Sequence, residues 1–128
     1  MVIHNFPPHT AAKFGLDYAA VRAGNPDVIH CSITGFGSGA GATMPGYDLL
    51  VQAMGGLMSV TGPGPGHPTK VGVALVDVIT GLHATIGVLA ALHHRDATGQ
   101  GQAVEVNLLS SLLSALVNQA SGFVSGGL

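Results

Sequence analysis

The sequence predicts an α/β domain with a largely parallel sheet, and three stretches carry that prediction. Val28 to Thr34 is a β-branched run of the kind that forms a strand. Gln102 to Leu108 alternates, with Ala103, Glu105 and Asn107 on one face and Val104, Val106 and Leu108 on the other. Between them, Lys70 to Arg95 changes period. Val71, Val73 and Leu75 alternate in an extended, glycine-spaced segment. Val78, Ile79, Leu82, Ile86, Leu89 and Ala90 then recur at helical spacing. Strands alternating with helices bury both faces of a parallel sheet.

The elements follow in order. Val2-Ile3 reads as the end of a strand, and Asn5 to His9 as a turn in which Phe6 is a core anchor. Thr10 to Gly15 is a short helical stretch with Lys13 exposed and Gly15 as its C-cap. Asp17 opens a second helix, which Gly24-Asn25-Pro26 stops. In the Val28 to Thr34 strand, His30 and Ser32 alternate with Ile29, Cys31 and Ile33. Either one face is polar or both are buried.

Gly35 to Gly46 is a glycine-rich loop. No frame gives G-x-G-x-x-G and no G-K-[ST] follows, so it reads as a flexible lid or connector, not a dinucleotide cradle. Tyr47-Asp48 begins a helix with Leu49, Leu50, Ala53, Met54 and Leu57 as its apolar positions, and Asp48 reads as its cap. Gly55-Gly56 weakens its end or lets a neighbour approach closely. Ser59 to Thr69 is turn chemistry. Asp96 to Gly101 is a cap and tight turn after the long helix. Leu109 to Gln119 reads as the last helix, and Ser121 to Leu128 as a small, glycine-rich tail.

Composition narrows the function. The 128 residues carry 8% charged side chains and a net charge of −2, against about 25% charged in a typical soluble domain. So few charges leave apolar surface for other protein to cover. Four unclustered Lys and Arg do not make a phosphate-tracking surface, so no nucleic-acid partner is expected. Cys31 is the single cysteine, which excludes an intramolecular disulfide and fits a reduced, cytoplasmic compartment. The first residues do not read as a signal peptide. The uncharged apolar run Val78 to Leu92 falls short of the roughly 20 residues of a membrane span, so no membrane partner is expected. The seven histidines lack H-x-x-x-H or C-x-x-C company, so no metal site is expected. No G-x-S-x-G elbow is present.

One residue stands out. Asp77 is the only charge between Lys70 and Arg95 and sits where the period changes. An aspartate there is an N-cap, whose side chain accepts a backbone N–H. The same position also suits a working carboxylate, since the positive end of a helix favours its ionised form and an ionised carboxylate is a nucleophile. Spacing does not separate the two, and the residues alone support acyl chemistry in general terms.

Five stretches carry a resemblance: NFPPHTAAKFGL at 5–16, NPDVIHCSITGFG at 25–37, PGYDLLVQAMGGLMSVTG at 45–62, KVGVALVDVITGLHATIGVLAAL at 70–92 and RDATGQGQAVEVNLL at 95–109. In this order and spacing the chain resembles the family III CoA-transferases, the group of formyl-CoA transferase, carnitine CoA-transferase and α-methylacyl-CoA racemase. The resemblance implies a partial Rossmann-like parallel sheet with flanking helices. It makes residues 1–128 one partial domain, the middle of the family's large domain, truncated before its small domain.

The resemblance also implies chemistry. The family's catalytic aspartate falls on Asp77, which would attack an acyl-CoA thioester and pass CoA to a carboxylic acid acceptor through an aspartyl-CoA thioester. Residues matching Asn5, Phe6 and Lys13 bind the CoA adenosine, and Tyr47 matches a position lining the CoA or substrate pocket. Lys13 stands where an arginine is common, giving a point charge in place of a fork. CoA is then a substrate, no cofactor is tightly bound, and a homodimer is expected. In the racemase branch a histidine replaces Tyr47, so a 2-methylacyl-CoA racemase or epimerase is the second expectation. A third, of another class, is a noncatalytic self-associating module, which the low charge and the missing domains suggest, and the chain alone is expected to be inactive.

Overall fold

The computed structural model describes residues 1–127. Its elements are β1 (Val2–His4), α1 (Pro8–Lys13), α2 (Tyr18–Gly24), β2 (Ile29–Thr34), α3 (Asp48–Met54), a single 3-10 turn (Leu57–Ser59), α4 (Leu75–Thr98), β3 (Gln102–Asn107), α5 (Leu108–Ala115) and α6 (Val117–Gly126). The three strands form one parallel sheet in the order β1-β2-β3. Ile3 pairs with Cys31, and Cys31 with Val104. The predicted α/β class and parallel sheet are therefore present.

Strand β2 is central and buried on both faces, which settles the alternative its sequence left open. Ile29 and Cys31 are fully buried, and so is His30 on the opposite face. The His30 imidazole reaches the Leu16 carbonyl at 2.8 Å through Nε2. That bond satisfies a polar group that burial would otherwise penalise.

Helix α4 covers the other face of β2 and β3. Ala84 and Val88 pack with Cys31, Val104 and Val106, while Val76 joins Val51, Leu108 and Leu112 in a second cluster. The buried stripe is Val76, Thr80, Ala84, Val88 and Ala91. It is not the stripe that the sequence suggests. Val78, Leu82, Ile86 and Leu89 stand 59–64% exposed. The helix is apolar on two sides, and the sheet takes the side with the smaller residues, which lets the layers approach closely.

Other elements also depart from expectation. Val71 and Val73 form no strand, and Leu75 already belongs to α4. The helix runs 24 residues, to Thr98, so it takes in Asp96 to Thr98, which the sequence suggests as part of a turn. By length and composition α4 is apolar enough to cross a bilayer, although one stripe of it is committed to the sheet. The expected last helix breaks in two, α5 and α6 meeting at 85°. Val117 sits at the break with φ +41°, a strained conformation for a β-branched residue. The expected tail is helical to Gly126, and Leu128 lies outside the described residues.

Candidate active site

In an open parallel sheet, ligands settle outside the carboxyl ends of the strands. A cavity of about 640 Å³ occupies that place here. The turn after β1 supplies Asn5 and Phe6, α1 supplies His9, β2 ends in Thr34, and the loop after β2 supplies Thr43 and Tyr47. The first turns of α4 supply Asp77, Thr80 and Gly81, and Leu108 follows β3.

The glycine-rich loop is pinched at its neck. Gly35 and Gly46 meet backbone to backbone, so a Cβ on Gly46 would stand 2.7 Å from the Gly35 Cα. The Gly35 carbonyl accepts the Leu109 amide at 3.0 Å, which ties the loop to the start of α5. Residues 35–47 thereby form a loop closed at its neck that lines one side of the cavity.

One carboxylate, Asp77, lines the cavity, and a second, Asp48, stands behind it at the start of α4. Asp77 is the third residue of α4, whose N-cap position is Ala74. The cap comes instead from α3. One oxygen of Asp48 accepts the Val76 amide at 2.8 Å and the Asp77 amide at 3.1 Å. The other accepts the side-chain amide of Gln52, one helical turn on. Gln52 is fully buried, and its carbonyl oxygen accepts the Val71 amide at 2.9 Å. One network thus fixes α3, the approach to α4 and the first amides of α4.

The consequence falls on Asp77. Its helix start is already capped, and among the described residues its carboxylate accepts no hydrogen bond and meets no cation. The expectation that free N–H groups would favour its anion is therefore corrected, because Asp48 occupies them. Desolvation first, and then the nearby Asp48 charge, hold the Asp77 carboxyl above the ordinary aspartate range. Asp48 does not cap its own helix, as its sequence position suggested. It is the first residue of α3, behind Tyr47 at the N-cap.

Asn5, Phe6, Tyr47 and Asp77 share the cavity, whereas Lys13 lies outside its lining, in the last turn of α1. His9, which no motif singled out, lines the same space. A smaller cavity of about 250 Å³ adjoins at Phe6 and is walled by His4, Tyr18, His30 and Glu105. His4 Nε2 is buried there without a partner among the described residues. Burial and then His30 hold its imidazole below the ordinary range. No three described His, Cys, Asp or Glu are grouped to hold a metal ion.

Fold and cleft define a parallel α/β domain with a carboxylate facing a ligand-sized cavity. Comparison gives the family. The model of CoA-transferase family III matches residues 1–127, and the chain belongs to that family. It is 44% identical over 128 residues to the succinate–glutarate CoA-transferase of Agrobacterium fabrum, covering 99% of this chain and 32% of that protein. It is 38% identical over 125 residues to human succinyl-CoA:glutarate CoA-transferase, covering 97% and 28%. The crystal structure of a CAIB/BAIF family protein from Brucella suis superposes with a TM-score of 0.93 at 43% identity, covering 99% of this chain and 34% of that one. The chain spans about a third of the length of these relatives.

Proposed function

We propose that this chain carries the nucleophile of a CoA-transferase, and that the nucleophile is Asp77. The observation behind the reading is the cap supplied by Asp48. It leaves the Asp77 carboxylate lining the cavity with no hydrogen-bond donor from the described residues. An anion that hydrogen bonds do not stabilise is the stronger nucleophile.

The reaction then balances without water or redox change. An Asp77 oxygen attacks the thioester carbon, the C–S bond breaks and CoA leaves as its thiolate. The thiolate attacks the aspartyl carbonyl of the resulting anhydride and releases the donor carboxylate, leaving an aspartyl-CoA thioester. The acceptor carboxylate displaces CoA from that thioester, and the thiolate then attacks the acceptor's carbonyl. Asp77 is released and the acceptor departs as its CoA ester. Covalent capture retains the thioester's free energy provided water is excluded, and the glycine-rich loop that lines the cavity is proposed to close over the bound substrate.

Asn5, Phe6 and Tyr47 are proposed to line the CoA path, with Lys13 reaching it from outside the cavity. The named relatives act on succinate and glutarate, so dicarboxylates are the proposed acyl and acceptor groups. A homodimer belongs to the same reading, supported by the bare apolar stripe of α4. Light scattering reporting a monomer would remove that part. For the activity, the full-length protein carrying this sequence is incubated with acyl-CoA. It should gain the mass of CoA in a form that hydroxylamine cleaves, and Asp77→Ala should gain nothing. An equal adduct and unchanged turnover in Asp77→Ala would refute the reading.

A further inference from the structure

We propose that Gln52 is a positioning residue for the transfer: by anchoring Asp48 it holds the first turn of α4 in place, and Asp77 with it. The inference rests on the CoA-transfer reading above. It starts from a polar side chain buried where packing does not need one. Gln52 is 1% exposed and follows Val51, a member of the apolar cluster with Val76, Leu108 and Leu112. A buried amide adds little net stability over an apolar side chain of the same shape, and it is tolerated when both its ends are bonded. Both ends of Gln52 are bonded, and each bond leads toward α4.

The orientation of that amide is forced. A backbone N–H only donates, so the Gln52 carbonyl oxygen faces the Val71 amide, at 2.9 Å. The Gln52 NH2 is left to donate to one oxygen of Asp48. The other Asp48 oxygen accepts the Val76 and Asp77 amides at 2.8 and 3.1 Å. Asp77 is therefore two hydrogen bonds from Gln52. An aspartate head turns about its last bond in a broad, shallow well unless a second partner holds it, and Gln52 is that partner. Without it the two amides revert toward the orphan donors of any helix start, and Asp77, the third residue of α4, loses its fixed place. Attack on a thioester is sensitive to such loss, because a misplacement of about 1 Å costs up to about a hundredfold. Asn5 and Phe6 stand on the turn after β1, which this network does not touch. The loss should therefore fall on kcat and spare the KM for acyl-CoA.

The test breaks the network and then rebuilds it with donor and acceptor exchanged, in the full-length protein. Gln52→Met keeps the bulk and loses both bonds. Gln52→Glu keeps the shape but sets an acceptor against Asp48. Each should lower kcat about tenfold at neutral pH and leave the KM for acyl-CoA within about twofold. The double variant Asp48→Asn, Gln52→Glu restores every bond. The new amide group on α3 donates to the new carboxylate, which also accepts the Val71 amide, and the amide oxygen takes the Val76 and Asp77 amides. Its kcat should return to within about threefold of the unaltered protein, a rescue that packing alone does not give. Rates are taken below the melting midpoint of each variant, so that lost folding is not read as lost turnover. Unchanged kcat in both single variants, a loss confined to the KM for acyl-CoA, or a double variant no faster than Gln52→Glu would each overturn the proposal. If the Asp77 adduct forms in the unaltered protein and one of these results is found, this inference fails alone. If no adduct forms there, the transfer reading fails and takes this inference with it.

Discussion

Asp17 and Asp77 both stand at helix starts, and their geometry differs. Asp17 precedes α2 and caps it, its Oδ1 accepting the Ala20 amide at 3.1 Å. Asp77 lies inside α4 and caps nothing, because Asp48 reaches across from α3 to take the Val76 and Asp77 amides. The same residue type at similar helix positions is spent on structure in one place and left free in the other. A cap supplied from a distant element lets a helix keep its own acid for chemistry.

The largest expected effect separates the two aspartates by activity. Asp77→Asn should lower turnover by about a thousandfold or more, as loss of a covalent nucleophile does. Asp17→Ala should leave turnover within about twofold. Steady-state rates on both variants check this, and comparable losses would erase the distinction.

Stability should reverse the order. Asp48→Ala removes the acceptor of two helix amides and of Gln52, and should cost about 2 kcal/mol in urea unfolding. Asp17→Ala removes one exposed cap and should cost about 1 kcal/mol.

The smallest effect concerns pH. A carboxyl raised in the folded state binds its proton more tightly there than in the unfolded chain. Its contribution to stability is therefore full below the ordinary aspartate range and is lost as pH rises through the raised value. Asp77 is raised first by desolvation and then by Asp48. Asp77→Asn should accordingly melt higher than the unaltered protein at neutral pH, by less than about 3 °C. The difference should close in acid. In an Asp48→Asn background the pH dependence should shrink but persist, because the larger cause remains. A difference independent of pH would contradict this cause.

Local signals were legible in the sequence. Asp17 as a cap, Gly15 at a helix end, and β2 and β3 as strands all follow from neighbouring residues. What escaped was non-local or two-sided. Asp48 and Asp77 are 29 residues apart, and no pattern links them. The buried face of α4 could not be chosen from periodicity. Its larger apolar residues form one stripe, while Val76, Thr80, Ala84, Val88 and Ala91 form the stripe that the sheet takes. The break at Val117 has no glycine or proline beside it to announce it. His9 became visible only when the start of α1 was seen to line the cavity.

Peptide mapping tests the central claim most directly. The full-length protein is quenched during turnover with acyl-CoA, digested, and the peptide bearing CoA is identified by mass spectrometry. The account predicts that the adduct sits on Asp77, with Asp48 unmodified. An adduct on Asp48 or Glu105, or turnover with no protein-bound CoA at any time, would contradict it.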